Sequence, residues 1–357
     1  MIDFLIIGGG IAGLSAGARL SLHGKVIVLE VEDVLGYHAS GRSAALFEES
    51  YGPDSVVALN KASAEFLASE NGGYLTPRGL MLIGGKNQQD VFARDVVDLN
   101  MQVLPVAEAR DRVPILNPDS VGFTAISDGA FDIDTDRLLQ DFARVIRANG
   151  GKVLTRNKVT AIHKDRHWIV SAGQTYDSRN IVNAAGPWVD EIAIMAGIAP
   201  IGISPRRRSM ARLPAPAGHN LREWPMLLGV QEAWYAKPDA GKLIVSPSEA
   251  DPVPPHDAYA DDMVLAEGLA RYEEMVTEPV TRVEANWAGL RSFAPDGTLV
   301  LGPDPVDPTF IWSAGQGGYG FQTAPAASKL VADLATGHMP ELDDASVRAL
   351  KPERLCQ

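Results

Sequence analysis

A glycine-rich turn near the amino terminus constrains the fold of this chain more than any other feature. Residues 4–7 form a short, continuous apolar run, which is typical of a strand buried on both faces. Glycines at 8, 10 and 13 follow with the spacing G-x-G-x-x-G, and a second apolar run at 26–29 ends at Glu30. Strand, turn, helix, strand and terminal acid in this order predict a dinucleotide-binding unit, with Glu30 on the adenosine ribose.

Each glycine of this turn has a separate task. Gly8 allows the tight turn, Gly10 lets the backbone approach a pyrophosphate, and Gly13 lets the helix pack closely on the strand. We expect the helix that follows, from Ala12 to about Leu22, to bring unpaired N–H groups and the positive end of its dipole to the phosphates, with Ile11 and Ala12 as cofactor contacts. The alternative is a glycine-rich turn in an unrelated α/β protein.

Composition narrows the class of protein. The 357 residues suggest about two domains, and 46% hydrophobic residues suffice for a sizeable core. A net charge of −13 argues against broad nucleic-acid binding. The only cysteine, Cys356, excludes an intrachain disulfide and fits a cytoplasmic location. We expect neither a membrane-spanning segment nor a signal peptide, because no apolar run reaches 18 residues and no basic leader precedes the first strand.

Three later segments also have the composition of ligand-binding loops or turns. Residues 40–43 are rich in glycine and serine, and they suit either a ligand contact or a polar surface loop. Residues 180–186 indicate a strand that ends in a small-residue turn. The glycines at 315–320 precede a helix predicted from about Thr323 to Leu334, so unpaired N–H groups are expected beside that turn.

Many ordered stretches together resemble one known family. They are residues 8–13, 36–45, 132–136, 182–186, 207–209, 224–226, 235–241, 287–293 and 316–320. Over essentially the whole chain they resemble the D-amino-acid oxidase superfamily of FAD enzymes, and within it the bacterial D-arginine and D-amino acid dehydrogenases. The resemblance implies an α/β fold. Its Rossmann-type FAD-binding domain (1–75, 128–198 and 288–357) would be interleaved with a substrate domain on a mixed β-sheet (76–127 and 199–287).

The resemblance also implies where the cofactor lies. FAD would lie along residues 8–13, and the remaining implied contacts are Arg42, Ser43 and Ala44 near the isoalloxazine, Val159 and Gly186 on the adenosine side, and Gly317, Gly318, Tyr319 and Gly320 at the flavin O2. Some relatives hold the flavin through a cysteine. Cys356 is too near the end of the chain for that, so we predict non-covalent FAD.

Four side chains correspond to the family's substrate pocket. Arg208 and Arg291 correspond to arginines that grip the substrate carboxylate, and Tyr51 and Tyr235 correspond to residues that line the pocket. Arg291 would also lie against the cofactor. The alternatives are a solvated basic run at 206–208, of which Arg206 and Arg207 are expected on the surface, and ordinary core tyrosines.

Two departures from the resembling enzymes bear on the substrate side chain. Leu80 stands where the arginine enzyme has a glutamate, and Leu46 stands where it has a histidine. Both changes predict an apolar pocket. Glu48 lies close by in sequence and could restore a negative charge, but we expect it to face solvent.

The leading prediction is an FAD-dependent D-amino acid dehydrogenase or oxidase that breaks the Cα–H bond by hydride transfer and yields an imino acid. The electron acceptor, oxygen or a quinone, stays open. The alternatives are an oxidase of N-alkyl glycines, as in sarcosine or glycine oxidases, and a nucleotide-binding protein without turnover. The seven scattered histidines predict no metal site.

Overall fold

The amino-terminal pattern folds into a strand, a helix and a second, parallel strand: β1 (Ile2–Ile7), α1 (Ile11–Leu20) and β2 (Val26–Leu29). Steric constraints require glycine at two positions in this unit. Gly8 has a φ of +113°, and a Cβ there would lie 2.2 Å from the carbonyl oxygen of Ala184. A Cβ on Gly13 would lie 1.9 Å from the carbonyl oxygen of Gly8. The helix therefore packs on the strand at a distance that only glycine allows.

The computed structural model describes residues 1–355, so Cys356, on which the prediction of non-covalent FAD depends, lies outside the described residues. The later helices are α2 (Asp54–Ser69), α3 (Gln89–Asp98), α4 (Val106–Arg112), α5 (Thr135–Ala148), α6 (Val189–Met195), α7 (Asp262–Glu274), α8 (Gly320–Thr336) and α9 (Asp344–Leu350).

The later strands are β3 (Leu46–Phe47), β4 (Leu75–Pro77), β5 (Leu80–Gly85), β6 (Gln102–Leu104), β7 (Val121–Ser127), β8 (Phe131–Ile133), β9 (Lys152–Leu154), β10 (Ala161–Lys164), β11 (Trp168–Ala172), β12 (Gln174–Asn183), β13 (Ser204–Leu213), β14 (Met226–Gly229), β15 (Tyr235–Asp239), β16 (Lys242–Ser246), β17 (Ala285–Phe293), β18 (Val300–Pro303) and β19 (Phe310–Ala314).

The first sheet has a parallel centre. Its order is β10-β11-β12-β1-β2-β9, and β19 joins the second half of β12 and carries β18 on its other side. β1 runs parallel to β2 and β12, and β9 and β19 extend the parallel part. One face packs on α1, α5 and α8 through a core that includes Leu14, Phe142 and Leu330. The central strands are therefore apolar on both faces, as the continuous run at the amino terminus predicts.

The second sheet is mixed, and it is built from two separate parts of the chain. Its order is β17-β13-β16-β15-β14-β5-β7-β6, and every pairing is antiparallel except that of β14 with β5. A third, small sheet has the order β3-β8-β4. The architecture is the predicted α/β fold with a Rossmann-type sheet and a mixed sheet.

One predicted domain boundary cuts through a strand. The boundary between 287 and 288 falls inside β17, which pairs with β13 without interruption from Ala285 to Phe293. Its first residues and Arg291 therefore belong to the same ladder, because backbone hydrogen bonding continues across that point. A boundary after Phe293 fits this strand.

Candidate active site

A cavity lies where the two sheets meet. The turn after β1, the segment before β3, strands β13, β15 and β17 and the start of α8 all contribute to its wall. The candidate site residues from the sequence that line it are Gly10, Ile11, Ala12, Arg42, Ser43, Ala44, Tyr51, Gly186, Arg208, Tyr235, Arg291, Gly317, Gly318 and Gly320. The fold thus brings together, from distant parts of the sequence, most of the residues that the sequence singled out.

At the nucleotide end of the cavity, the helix start is partly capped by the protein itself. Ile11, the first residue of α1, donates its backbone N–H to Ser40 Oγ at 3.0 Å. The Glu30 carboxylate accepts the N–H of Gly9 at 2.6 Å and that of Glu32 at 2.9 Å. Its position after β2 is therefore fixed before any ligand arrives.

The segment before β3 is fastened by side chains. The Arg42 guanidinium donates to the carbonyls of Ala258 and Ala288 at 2.8 and 2.9 Å, and it pairs with Asp257. This contact holds the pKa of Asp257 below its usual value against the opposing effect of burial. Ser43 Oγ accepts the N–H of Ala45, whose φ is +44°. Arg42 and Ser43 thus shape this wall through bonds to protein groups.

The helix α8 begins at the cavity, three residues earlier than the sequence indicates. Gly320 is its first residue and Tyr319 its N-cap, and the Thr323 N–H makes a backbone bond back to Tyr319. N–H groups in the first turn of a helix have no intrahelical partner. Gly318 is tightly placed, since a Cβ there would lie 3.1 Å from Arg291 Nη1.

Two arginines from neighbouring strands face this cavity. Arg208 on β13 is buried, and its Nε donates to the carbonyl of Glu249 at 2.9 Å. Burial and the charge of Arg291 lower the pKa of Arg208. Burial alone would also lower the pKa of Arg291, but Tyr51, Tyr235 and Glu232 outweigh it and raise that pKa. Among residues 1–355, no hydrogen bond or ion pair engages the Arg291 side chain.

Around the arginines lie two tyrosines and an acid that the sequence analysis missed. The Tyr51 hydroxyl donates to Glu232 Oε2 at 3.2 Å. Burial and the Glu232 charge raise the pKa of Tyr51, which keeps the hydroxyl a donor. Tyr235 is buried, and its hydroxyl has no hydrogen-bond partner in the described chain. Glu232 follows Gln231, and the two have φ values of +53° and +56°. No residue pattern signals this turn, because neither residue is a glycine.

Apolar side chains also line this cavity, as Leu46 and Leu80 predict. This apolar wall consists of Leu46, Leu80, Leu99, Met210, Met226 and Leu228.

Glu48 also lines this cavity, so the expectation that it faces solvent is wrong. It is only 8% exposed, and its Oε2 has no partner among the described residues. Its backbone N–H donates to Gln322 Oε1, and Asn60 donates to the carbonyls of Glu49 and Tyr51 on the same loop. These bonds turn the segment inward. Burial raises the pKa of the Glu48 carboxyl.

The remaining predicted residues lie elsewhere. Val159 is buried in a core cluster with Ile27 and Leu29 beneath the first sheet. The Tyr319 ring packs against Tyr51, with 5.5 Å between ring centroids. Arg207, expected on the surface, has a side chain only 15% exposed that lies 3.6 Å from Asp261. Arg206 stacks over Phe293 at 5.2 Å. Both arginines lie in β13 and face packed side chains of the mixed sheet.

Comparison with known proteins places this architecture in a family. The family model for FAD dependent oxidoreductases matches residues 3–334, and the chain belongs to that family. It is 25% identical to FAD-dependent oxidoreductase domain-containing protein 1 of Bos taurus over 407 residues, covering 96% of this chain and 82% of the relative. It is 23% identical to glycine oxidase of Pseudomonas putida, covering 96% of each.

Among solved structures, the fold is similar to that of L-proline dehydrogenase from P. horikoshii. The TM-score is 0.84 at 22% sequence identity, with 99% of this chain and 97% of the other covered. None of these similarities selects the D-arginine dehydrogenases, so that finer placement stays a prediction.

The residues of the site fit FAD. A glycine cradle at Gly8 and Gly13 leaves no room for side chains, while Gly186, at a φ of +56°, has open space where its Cβ would be. Gln322 Nε2 and Tyr235 Oη are buried without protein partners, as groups that meet a ligand would be. In residues 1–355 we find neither a helix long and apolar enough to cross a membrane nor a group of three metal-ligating side chains.

Proposed function

We propose that this chain uses FAD to oxidise the Cα–N bond of a D-amino acid or a similar small amino carboxylate. The observation that carries the proposal is the Arg291 guanidinium, which lies in the cavity wall without an internal partner beside the buried Arg208. An unpaired guanidinium in such a place needs an anion, and a carboxylate matches its fork of donors.

The charges around the arginines favour a substrate with one carboxylate. Arg208 and Arg291 carry two positive charges, and Glu232 is the carboxylate that acts on the pKa of both. The balance is one positive charge. A single carboxylate neutralises it, whereas a dicarboxylate bound at the same arginines would leave an excess negative charge out of water.

The two tyrosines complete the carboxylate end. Tyr235 offers a buried hydroxyl without a protein partner, and it can donate to the bound carboxylate. Tyr51 is held by its bond to Glu232, which fixes the ring over that end of the cavity. The α-amine must be neutral before the α-hydrogen leaves as hydride. We assign no side chain as its base.

Bound FAD would supply the hydride acceptor. We assign its pyrophosphate to the turn at Gly8, Gly10 and Gly13 with Ile11 and Ala12, and its ribose to Glu30. The other proposed contacts are Arg42, Ser43, Ala44, Gly186, Arg291, Gly317, Gly318 and Gly320, whereas Val159 and Tyr319, which do not line the cavity, stay sequence predictions. The start of α8 would direct donors at charge on the reduced ring.

The apolar wall would select the substrate side chain. Leu46, Leu80 and Met226 support a preference for apolar D-amino acids, and burial disfavours the ionised form of Glu48, the acid beside them that would attract a cationic side chain. An oxidase of N-alkyl glycines is the second candidate, and full-length similarity to a glycine oxidase favours it. Both candidates use the same carboxylate site and differ in what fills the apolar wall.

Anaerobic reduction of the bound flavin separates these functions. We expect D-leucine or D-methionine to bleach the absorbance near 450 nm, and L-leucine to leave it unchanged. Faster bleaching by N-methylglycine would favour the second candidate. A flavin that no D-, L- or N-methyl amino acid reduces would contradict the proposal. Oxygen uptake set against reduction of a soluble quinone then identifies the acceptor class.

A further inference from the structure

A buried lysine lies behind the part of the cavity wall formed by Ala44. Lys237 is on β15, two residues after Tyr235, so both side chains project from the same face of the strand. Lys237 is 6% exposed. Its ammonium donates to the carbonyl oxygen of Ala44 and lies 2.9 Å from Asp132 Oδ1. Ala44 itself lines the cavity, so this charge lies one peptide group away from it.

The carboxylate beside this lysine also serves a second cation. Asp132 Oδ2 accepts from Arg78 Nε at 2.8 Å and from Arg78 Nη2 at 2.6 Å. Arg78 also donates to the carbonyls of Arg222 and Trp224, which fixes its guanidinium. Within the described chain, the ion pairs of Lys237 and Arg78 go to Asp132 alone. The cluster Lys237–Asp132–Arg78 therefore holds two positive charges against one negative charge.

The net positive charge of this cluster has an electrostatic free-energy cost that apolar side chains at the same place would not have. The side chains of Arg78 and Asp132 are 12% and 21% exposed, so solvent screens them only in part. A buried lysine whose single carboxylate partner is shared with an arginine leaves a net positive charge in a medium of low dielectric. Positive charge acts at longer range there than in water, and the nearest feature that faces a ligand is the segment of Ala44 and Ala45.

We propose that the Lys237–Asp132–Arg78 cluster is an electrostatic positioning device that raises the reduction potential of FAD bound in the cavity. Its net positive charge stabilises the reduced ring, which carries more negative charge than the oxidised one. The bond from Lys237 to the Ala44 carbonyl fixes this part of the cavity wall and would keep the charge close to a bound flavin. This inference depends on FAD binding and is independent of which substrate the enzyme oxidises.

Charge counting in a double-mutant cycle tests the proposal. The wild-type cluster has a net charge of +1. Lys237→Met brings it to 0, Asp132→Asn brings it to +2, and the double variant returns it to +1. The readout is the midpoint potential of the bound flavin, measured by anaerobic equilibration with a redox dye. No substrate is present, so failure of the proposed amino-acid oxidation leaves this test intact.

We expect Lys237→Met to shift the ratio of oxidised to reduced flavin at least tenfold toward the oxidised form at a fixed potential. This corresponds to a decrease of about 30 mV for a two-electron couple. Asp132→Asn should shift the potential upward by a similar amount, and the double variant should return close to wild type. Lys237→Arg, which keeps the charge, should stay within a threefold change in that ratio.

A purely structural role predicts a different pattern. Damage to the wall would move both single variants in the same direction and the double variant further still. That result, or a potential that none of the variants moves, would overturn the proposal. If Asp132→Asn fails to retain FAD, the comparison of Lys237→Met with Lys237→Arg decides: equal shifts in the two variants reject electrostatic tuning. FAD per chain and far-ultraviolet circular dichroism identify variants that have not folded.

Discussion

Replacing Arg291 with alanine removes one guanidinium from the carboxylate end of the cavity and leaves Arg208 in place. No hydrogen bond or ion pair joins the Arg291 side chain to another residue of the described chain, so the substitution breaks no internal contact of that kind. The same cavity still contains Arg208, Tyr235 and Glu232. The loss should therefore appear in substrate binding, with little effect on folding.

The size of the effect follows from this geometry. A charge-assisted hydrogen bond contributes about 1.5–3 kcal/mol, which corresponds to roughly a 10- to 150-fold change in the substrate dissociation constant. Stranding a carboxylate without any partner would cost about 3–5 kcal/mol, but Arg208 remains to meet it. Removing Arg291 also relieves the repulsion that helps lower the pKa of Arg208. We expect the dissociation constant to rise by about 10- to 150-fold.

Stopped-flow reduction of the flavin under anaerobic conditions measures this constant directly from the dependence of the rate on substrate concentration. Arg212→Ala is the matched control, because Arg212 lies on the same strand and its side chain is 46% exposed beside Glu284. Its binding curve should equal that of wild type. If Arg291→Ala also kept the wild-type concentration dependence, Arg291 would be structural and the carboxylate site would lie elsewhere.

Three further predictions concern Glu48 and the cofactor. The ratio of kcat/KM for D-leucine over D-arginine should exceed about 10, because the apolar wall favours the aliphatic side chain and gives the guanidinium no strong partner. If the wild-type ratio is below one and Glu48→Gln raises it above one, Glu48 is the anion for a cationic substrate. Because burial raises the pKa of Glu48 above 4.5, its protonated form stabilises the fold below that pH and the contribution is lost as pH rises through the raised pKa. Glu48→Gln should therefore gain free energy of unfolding relative to wild type as pH rises above about 4.5 in urea titrations, and a constant difference would contradict this. Acid precipitation should release all yellow colour into the supernatant, whereas colour in the pellet would show a covalent flavin.

The sequence by itself determines the local units of this protein. The spacing of Gly8, Gly10 and Gly13 between two apolar runs specifies a strand, a turn and a helix, and neither Gly8 nor Gly13 leaves room for a side chain. Local sequence also predicts the helix that follows the glycines at 315–320, which is α8. These features depend on interactions between residues that are close in sequence, so the sequence alone is enough to predict them.

The residues of the site could be identified partly from the resemblance to a known family and partly only from the fold. Arg208, Arg291, Tyr51 and Tyr235 could be named because motifs around them match that family, and the structure brings all four to one cavity. The start of α8 was three residues late in the sequence interpretation, because a run of glycines hides where helical geometry begins.

Only the tertiary structure decided the direction of individual polar side chains. Glu48 faces inward because Asn60 and Gln322, which are distant in sequence, hold its loop. Glu232 reaches the arginines through a turn of two residues with positive φ, which their side chains do not suggest. Lys237 has an ordinary strand position in the sequence, and it becomes a buried cation only because β15 packs under the segment that contains Ala44. Burial and charge pairing are set by contacts between distant segments, and local patterns carry no record of them.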